Sequence, residues 1–181
     1  MRAFVGLEPD ATTKLAIENW RSKVLPPFNQ IVPAANYHIT LAFLGQINLD
    51  QQDRLEQHIQ LIDGITEFQV HLDILGYWPK PKALWLGCSQ PAKFHLELVK
   101  TLTSAAHSAN IIMQKRDYQA HLTLARKCSS NPPAPLIAPD FTWRACAFHL
   151  YESISTANGV NYAIKKTWQL PPVIKARSLT S

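Results

Sequence analysis

The sequence predicts an α+β fold with largely antiparallel strands. Three observations carry that reading. Apolar runs of period two alternate with runs of helical period, hairpin signals join several of the strands, and one short strand pattern is written twice. "RAFVGL" (Arg2 to Leu7) is an opening strand. "PDATTKLAIENWRSKVL" places Leu15, Trp20 and Val24 at helical spacing behind Asp10, a capping residue. "PPFNQIVPAAN" is a proline-rich loop leading into a strand from Tyr37 to Leu44, which Gly45 closes. "NLDQQDRLEQHIQLID" is a second helix with Leu55, Ile59 and Ile62 on one face and Gly64 at its end. "EFQVHLDILGYW" alternates as one half-buried strand with Phe68, Val70, Leu72 and Ile74 inward. "PKPK" turns it into "ALWLGC". A third helix covers about 92–109, and a strand follows from about Tyr118 to Arg126. After the loop "SSNPPAPLIAPD", the strands "FTWRACAFHLYES" and "YAIKKTWQL" are joined by "ISTANGVN", whose Asn158-Gly159 is a turn signal.

The bulk properties narrow the function classes. At 181 residues, 46% hydrophobic and 17% charged, the chain has material for one well-filled core. The three cysteines form no C-x-x-C pair, so they read as reduced thiols of a cytoplasmic protein rather than a zinc or disulfide framework. The N-terminus lacks a signal-peptide pattern, and no apolar run approaches the ~20 residues that span a bilayer. A net charge of +5 without a block of Lys/Arg favours a focused anion site over an extended nucleic-acid stripe.

The repeated pattern is "HITLAF" at His38 to Phe43 and "HLTLAR" at His121 to Arg126. Side chains alternate faces along a strand. His38 and Thr40 therefore share one face, with Ile39, Leu41 and Phe43 on the other, and Ala42 keeps the histidine's parity. His121 and Thr123 likewise oppose Leu122 and Leu124. A single His-x-Thr is a weak signal, since a locally satisfied pair explains it; two copies in the same aliphatic setting point to a pseudo-repeat of two half-domains. His58 and His107 sit in helical patterns as surface residues, His71 falls on a polar strand face, and His95 and His149 read as structural. Two imidazoles, one neutral and one charged, form a general acid–base pair suited to in-line displacement at phosphorus. Two hydroxyls would hold the non-bridging oxygens. Metal binding is the rival use, but the motifs supply no Asp, Glu or Cys to complete a first shell.

Two H-x-T motifs so spaced resemble the 2H phosphoesterase superfamily, and within it the bacterial RNA 2′,3′-cyclic phosphodiesterases once described as 2′–5′ RNA ligases. "RAFVGLEP" and "YAIKKTWQL" are similar to that family's first and last strands. The resemblance implies a single domain over 1–181 made of two intertwined, pseudo-symmetric lobes. Each lobe would be a small, mostly antiparallel sheet with helices outside, facing the other across a central cleft and carrying one motif (38–41 and 121–124). It implies hydrolysis of RNA or nucleoside 2′,3′-cyclic phosphates to 2′-phosphates, with no metal and no cofactor. His38 would be the proton donor, His121 the proton acceptor, and Thr40 and Thr123 the phosphate-binding hydroxyls. The partners would be RNA ends or nucleotides, with no membrane, and the protein a monomer. Arg126 resembles a basic residue that follows the second motif. Its parity is opposite to that of His121, so only a bulge or strand end would turn it to the cleft. Tyr37, Trp78 and Trp85 are aromatics available for base stacking, none of them assigned. Ligation by the reverse displacement, and a non-catalytic RNA- or nucleotide-binding module, are the alternatives.

Overall fold

The computed structural model describes residues 1–114, 117–157 and 159–173. In chain order the elements are β1 (Arg2–Leu7), α1 (Ala11–Val24), β2 (Gln30–Ile31), a 3-10 turn (Ala34–Asn36), β3 (Ile39–Gln46), α2 (Leu49–Gln60), β4 (Phe68–Leu72), β5 (Ile74–Trp78), β6 (Ala83–Gly87), α3 (Lys93–Ser108), β7 (His121–Arg126), β8 (Phe141–Ala145), β9 (Ala147–Thr156) and β10 (Gly159–Gln169). Seven strands follow the order β10-β9-β1-β3-β7-β6-β5 in one antiparallel sheet, with β2 added against β7. β4 and β8 form a separate two-stranded sheet.

The large sheet has a narrow waist. β3 and β7, the two His-x-Thr strands, pair only at Ile39↔Leu122, whereas their outer neighbours pair over several residues. Both waist residues are fully buried, which at roughly 1.5–3 kcal/mol per large apolar side chain makes the junction a packed one. The waist leaves four strands on each side: β10, β9, β1 and β3 with the first motif, and β7, β6, β5 and β2 with the second.

Local sequence explains most element boundaries. Asp10 accepts a hydrogen bond from the Thr13 N–H and starts α1. Asn48 and Gln51 form a reciprocal capping box at α2. In α1 the buried stripe is Thr13, Ile17, Trp20 and Arg21; the expected Leu15 is 58% exposed. Gly45 does not close its strand. It takes φ 71 inside β3, which runs on to Gln46. α2 stops at Gln60, before Gly64, and "QI" of the expected loop forms β2.

Two segments expected as single strands are each split between sheets. "EFQVHLDILGYW" breaks at Asp73, whose carboxylate accepts from both the N–H and the hydroxyl of Ser89 while its own N–H donates to the Gly87 carbonyl. "FTWRACAFHLYES" breaks at Cys146, with β8 paired to β4 and β9 paired to β1. The Asn158 part of the predicted turn lies outside the described residues.

Each motif strand carries an extra residue at the same place in its motif, and β3 has a second one at Leu44. The β1–β3 register skips Leu41, passing from Gly6↔Thr40 to Val5↔Ala42. The β6–β7 register skips Leu124, passing from Trp85↔Thr123 to Leu84↔Ala125. Each bulge reverses the alternation beyond it. Ala42 therefore turns into the core beside Val5, and Phe43, expected in the core, is 42% exposed opposite Phe4. Arg126 is turned out of the core in the same way. The two bulges occupy equivalent places in "HITLAF" and "HLTLAR".

Candidate active site

Ile39 and Leu122 point into the core, so the residues flanking them face the opposite side of the sheet. In antiparallel register those flanking residues meet crosswise, His38 toward Thr123 and Thr40 toward His121. All four are half-buried. The four sequence-predicted residues are thus gathered at the waist on one face.

The two imidazoles are held alike. His38 Nδ1 lies 2.8 Å from the Asn36 carbonyl oxygen, and His121 Nδ1 lies 2.8 Å from that of Gln119. A carbonyl only accepts, so each Nδ1 carries the hydrogen and donates it. Nε2 is then the reactive nitrogen: a base when the ring is neutral, an acid when it is charged. Neither Nε2 has a hydrogen-bond partner among the described residues.

Aromatic rings back both histidines. His38 lies 4.6 Å from the Phe4 ring and 4.7 Å from Tyr162, with Tyr151 at 6.1 Å. His121 stands edge-on to Trp78 at 4.5 Å, and Trp85 lies behind at 6.2 Å. Of the aromatics available for stacking, Trp78 and Trp85 back His121, while Tyr37 is core, 1% exposed. Phe4, Tyr151 and Tyr162 are neighbours that the sequence reading missed. The available signal was the parity of Phe4, out of phase with Ala3, Val5 and Leu7, but in an apolar strand no polar residue marks that face.

This setting depresses both imidazoles. His38 is lowered from the usual 6.5 to about 4, first by burial, with Arg126, His121 and Lys14 adding repulsion and the Asn36 carbonyl opposing. His121 is lowered by burial and by Arg126, against the Gln119 carbonyl. Arg126 thus acts on both rings, and His121 acts on His38 across the waist. A bound anion would counter each of these repulsions. Among the described residues no cluster of three or more His, Cys, Asp or Glu side chains has metal-binding geometry.

A groove of about 970 Å³ reaches Thr40 of the first motif and His121 of the second; His38 and Thr123 do not line it. Phe43, Tyr118 and, from α3, Val99 and Thr103 also line it. The site can therefore hold an anion at the waist and a larger organic group alongside it.

Comparisons with known proteins agree with this geometry. Residues 7–85 match the family described as LigT like Phosphoesterase. The Escherichia coli (strain K12) RNA 2′,3′-cyclic phosphodiesterase is 30% identical over 93% of this chain and 96% of its own length. The chain belongs to the LigT-like phosphoesterases. An Archaeoglobus fulgidus phosphoesterase of the same name is 25% identical over 90% of this chain and 96% of its own. Among solved LigT-like structures, E. coli LigT in its apo form superposes with a TM-score of 0.85 at 29% identity, covering 94% of this chain and 97% of that one. The E. coli LigT complex with 3′-AMP gives 0.86 at 29% identity, covering 93% and 97%. Among the described residues no helix is long and apolar enough to cross a membrane.

Proposed function

We propose that this chain hydrolyses the 2′,3′-cyclic phosphate ends of RNA or nucleosides to 2′-phosphates, without a metal. The observation that carries the reading is the single Ile39↔Leu122 pair, which sets two His-x-Thr motifs crosswise on one face. The named activity of the relatives at 30% and 25% identity supports it. One relative's structure with 3′-AMP supports a nucleotide ligand.

In this mechanism His121 Nε2 takes a proton from water as the water oxygen attacks phosphorus. The P–O3′ bond breaks, and His38 Nε2–H protonates the departing 3′ oxygen. The products are a 2′-phosphate and a 3′-hydroxyl; His121 is left charged and His38 neutral, and solvent exchange resets both. Thr40 and Thr123 hydroxyls donate to the non-bridging oxygens, where charge grows. Arg126, turned outward by the Leu124 bulge, supplies a fixed positive charge nearby. The domain would be one unit of two lobes meeting at the waist, each bringing one motif. The free thiols Cys88, Cys128 and Cys146 fit a reducing compartment such as the cytoplasm, where the chain would act as a monomer.

Incubation of a nucleoside 2′,3′-cyclic phosphate with the protein in EDTA tests the reading. The expected product is the 2′-phosphate at an undiminished rate. Abolition of turnover by chelation, or a joined 2′–5′ product in place of the hydrolysed one, would replace the reading. The pH dependence adds a second arm. The base must be neutral, so its limb rises with pH; the acid must be charged, so its limb falls with pH. Both free-state values are lowered, so kcat/KM should be greatest on the acid side of the ordinary histidine range. Substrate brings a negative charge that raises both rings, so the kcat bell should sit at higher pH. Coincident bells would contradict this electrostatic account.

A further inference from the structure

The segment that delivers the first motif is fastened by a buried cation. Arg21 of α1 is 6% exposed. Its Nη1 donates to the Val32 carbonyl at 3.0 Å and to the Tyr37 hydroxyl at 2.6 Å. Those two acceptors bracket the 3-10 turn Ala34–Asn36, whose last residue offers its carbonyl to His38 Nδ1. Val32 also donates its N–H to the Leu124 carbonyl at 2.9 Å, which ties the same segment to the second motif's strand at its bulge. One guanidinium thus fixes both ends of the short stretch that orients the His38 ring and keeps that stretch in register with β7.

The second motif has a counterpart built from other residues. His95 of α3 is fully buried, with Nε2 2.7 Å from the Tyr118 hydroxyl. Tyr118 immediately precedes Gln119, whose carbonyl accepts from His121 Nδ1. In each half, a buried side chain of a helix holds a tyrosine hydroxyl, and that tyrosine adjoins the carbonyl that fixes the imidazole's tautomer.

We propose that Arg21 and Tyr37 are positioning residues for His38, acting through the Asn36 carbonyl, and that His95 and Tyr118 do the same for His121. Neither pair touches the reacting atoms. Their work is to keep each Nδ1–H directed at its carbonyl, so that Nε2 is presented in one protonation form and one direction. A neutral histidine released from that carbonyl samples both tautomers: for His121, the proposed base, the wrong one puts the proton on the nitrogen that should accept, and for His38, the proposed donor, release lets Nε2–H swing away from the leaving oxygen.

This inference concerns the two-histidine reaction proposed above, but its test does not depend on it. Tyr37→Phe removes one hydroxyl and keeps the ring in the core, with Val32 still holding Arg21. The ring nitrogens of His38, read by long-range ¹H–¹⁵N NMR, should change from a single Nδ1–H tautomer to a mixture, while those of His121 do not. Tyr118→Phe should give the reverse pattern. Turnover of a 2′,3′-cyclic nucleotide should fall about tenfold in kcat, with KM little changed, as expected for a misoriented catalytic group. Arg21→Met should match or exceed Tyr37→Phe; if it does not fold, Tyr37→Phe decides alone. Wild-type tautomers and wild-type kcat in folded Tyr37→Phe would overturn the proposal. If the wild-type protein turns over no cyclic phosphate, the proposed function fails, and the NMR readout still decides whether the tyrosines position the rings.

Discussion

Alanine at His38 or at His121 is expected to lower turnover of a 2′,3′-cyclic phosphate by about 10²–10⁴-fold each, the range for a positioned general acid or base. The loss should fall mainly on kcat. In the proposed mechanism each ring acts on a proton in flight, so its removal weighs on the transition state more than on ground-state binding. The double variant should lose little beyond the worse single one, because an acid and a base that serve one displacement act as a unit. The folded state should survive, since both rings are only half-buried and their neighbours Ile39 and Leu122 keep the waist closed. Steady-state kinetics on the three variants, with thermal melts as the folding control, is the measurement. Near wild-type turnover in either single variant would remove that histidine from the chemistry.

The second large effect lies in the seat of Trp85. Its indole lies across two glycines, Gly76 on the neighbouring strand and Gly87 two residues on. A methyl at Gly76 would lie 2.1 Å from Trp85 Cζ2, and one at Gly87 would lie 2.6 Å from Cζ3. The ring also packs on Trp78, 5.0 Å away, and Trp78 in turn lies 4.5 Å from His121. Gly76→Ala must therefore displace a large ring that backs the His121 imidazole. Overpacking of this kind costs typically about 1–3 kcal/mol. For a chain of this size, each kcal/mol lowers Tm by about 2–4 °C. Turnover should fall as well, through His121. The clash belongs to one pair, so Gly76→Ala should cost much less in a Trp85→Phe background, where the smaller ring leaves room. A Gly76→Ala protein with wild-type Tm and rate would show that the seat is not tight.

What the sequence made legible was whatever depends on local alternation. His38 with Thr40, and His121 with Thr123, follow from period two, and the waist places them together. The fold class was readable for the same reason, as was the cap at Asp10. What escaped depends on contacts remote in the chain. The bulges at Leu41 and Leu124 carry no glycine or proline to announce them, so Phe43 and Ala42 were assigned to the wrong faces and Arg126 stayed undecided. "EFQVHLDILGYW" alternates without interruption, yet Ser89, brought in from beyond β6, captures Asp73 and turns the strand out of its sheet. No spacing within α1 marks Arg21 for burial; its acceptors, the Val32 carbonyl and the Tyr37 hydroxyl, arrive from beyond the helix. The aromatic setting of His38 comes from β1, β9 and β10, and no spacing within the first motif encodes it.

His38 and His121 are expected to act on one phosphorus atom from opposite sides. A crystal structure of the protein with a nucleoside 2′-phosphate product measures this directly. The account predicts the phosphate at the waist, with both Nε2 atoms and the Thr40 and Thr123 hydroxyls within hydrogen-bond distance of its oxygens and the nucleoside lying toward the groove. A phosphate bound by one motif alone, or seated away from the Ile39–Leu122 junction, would contradict it.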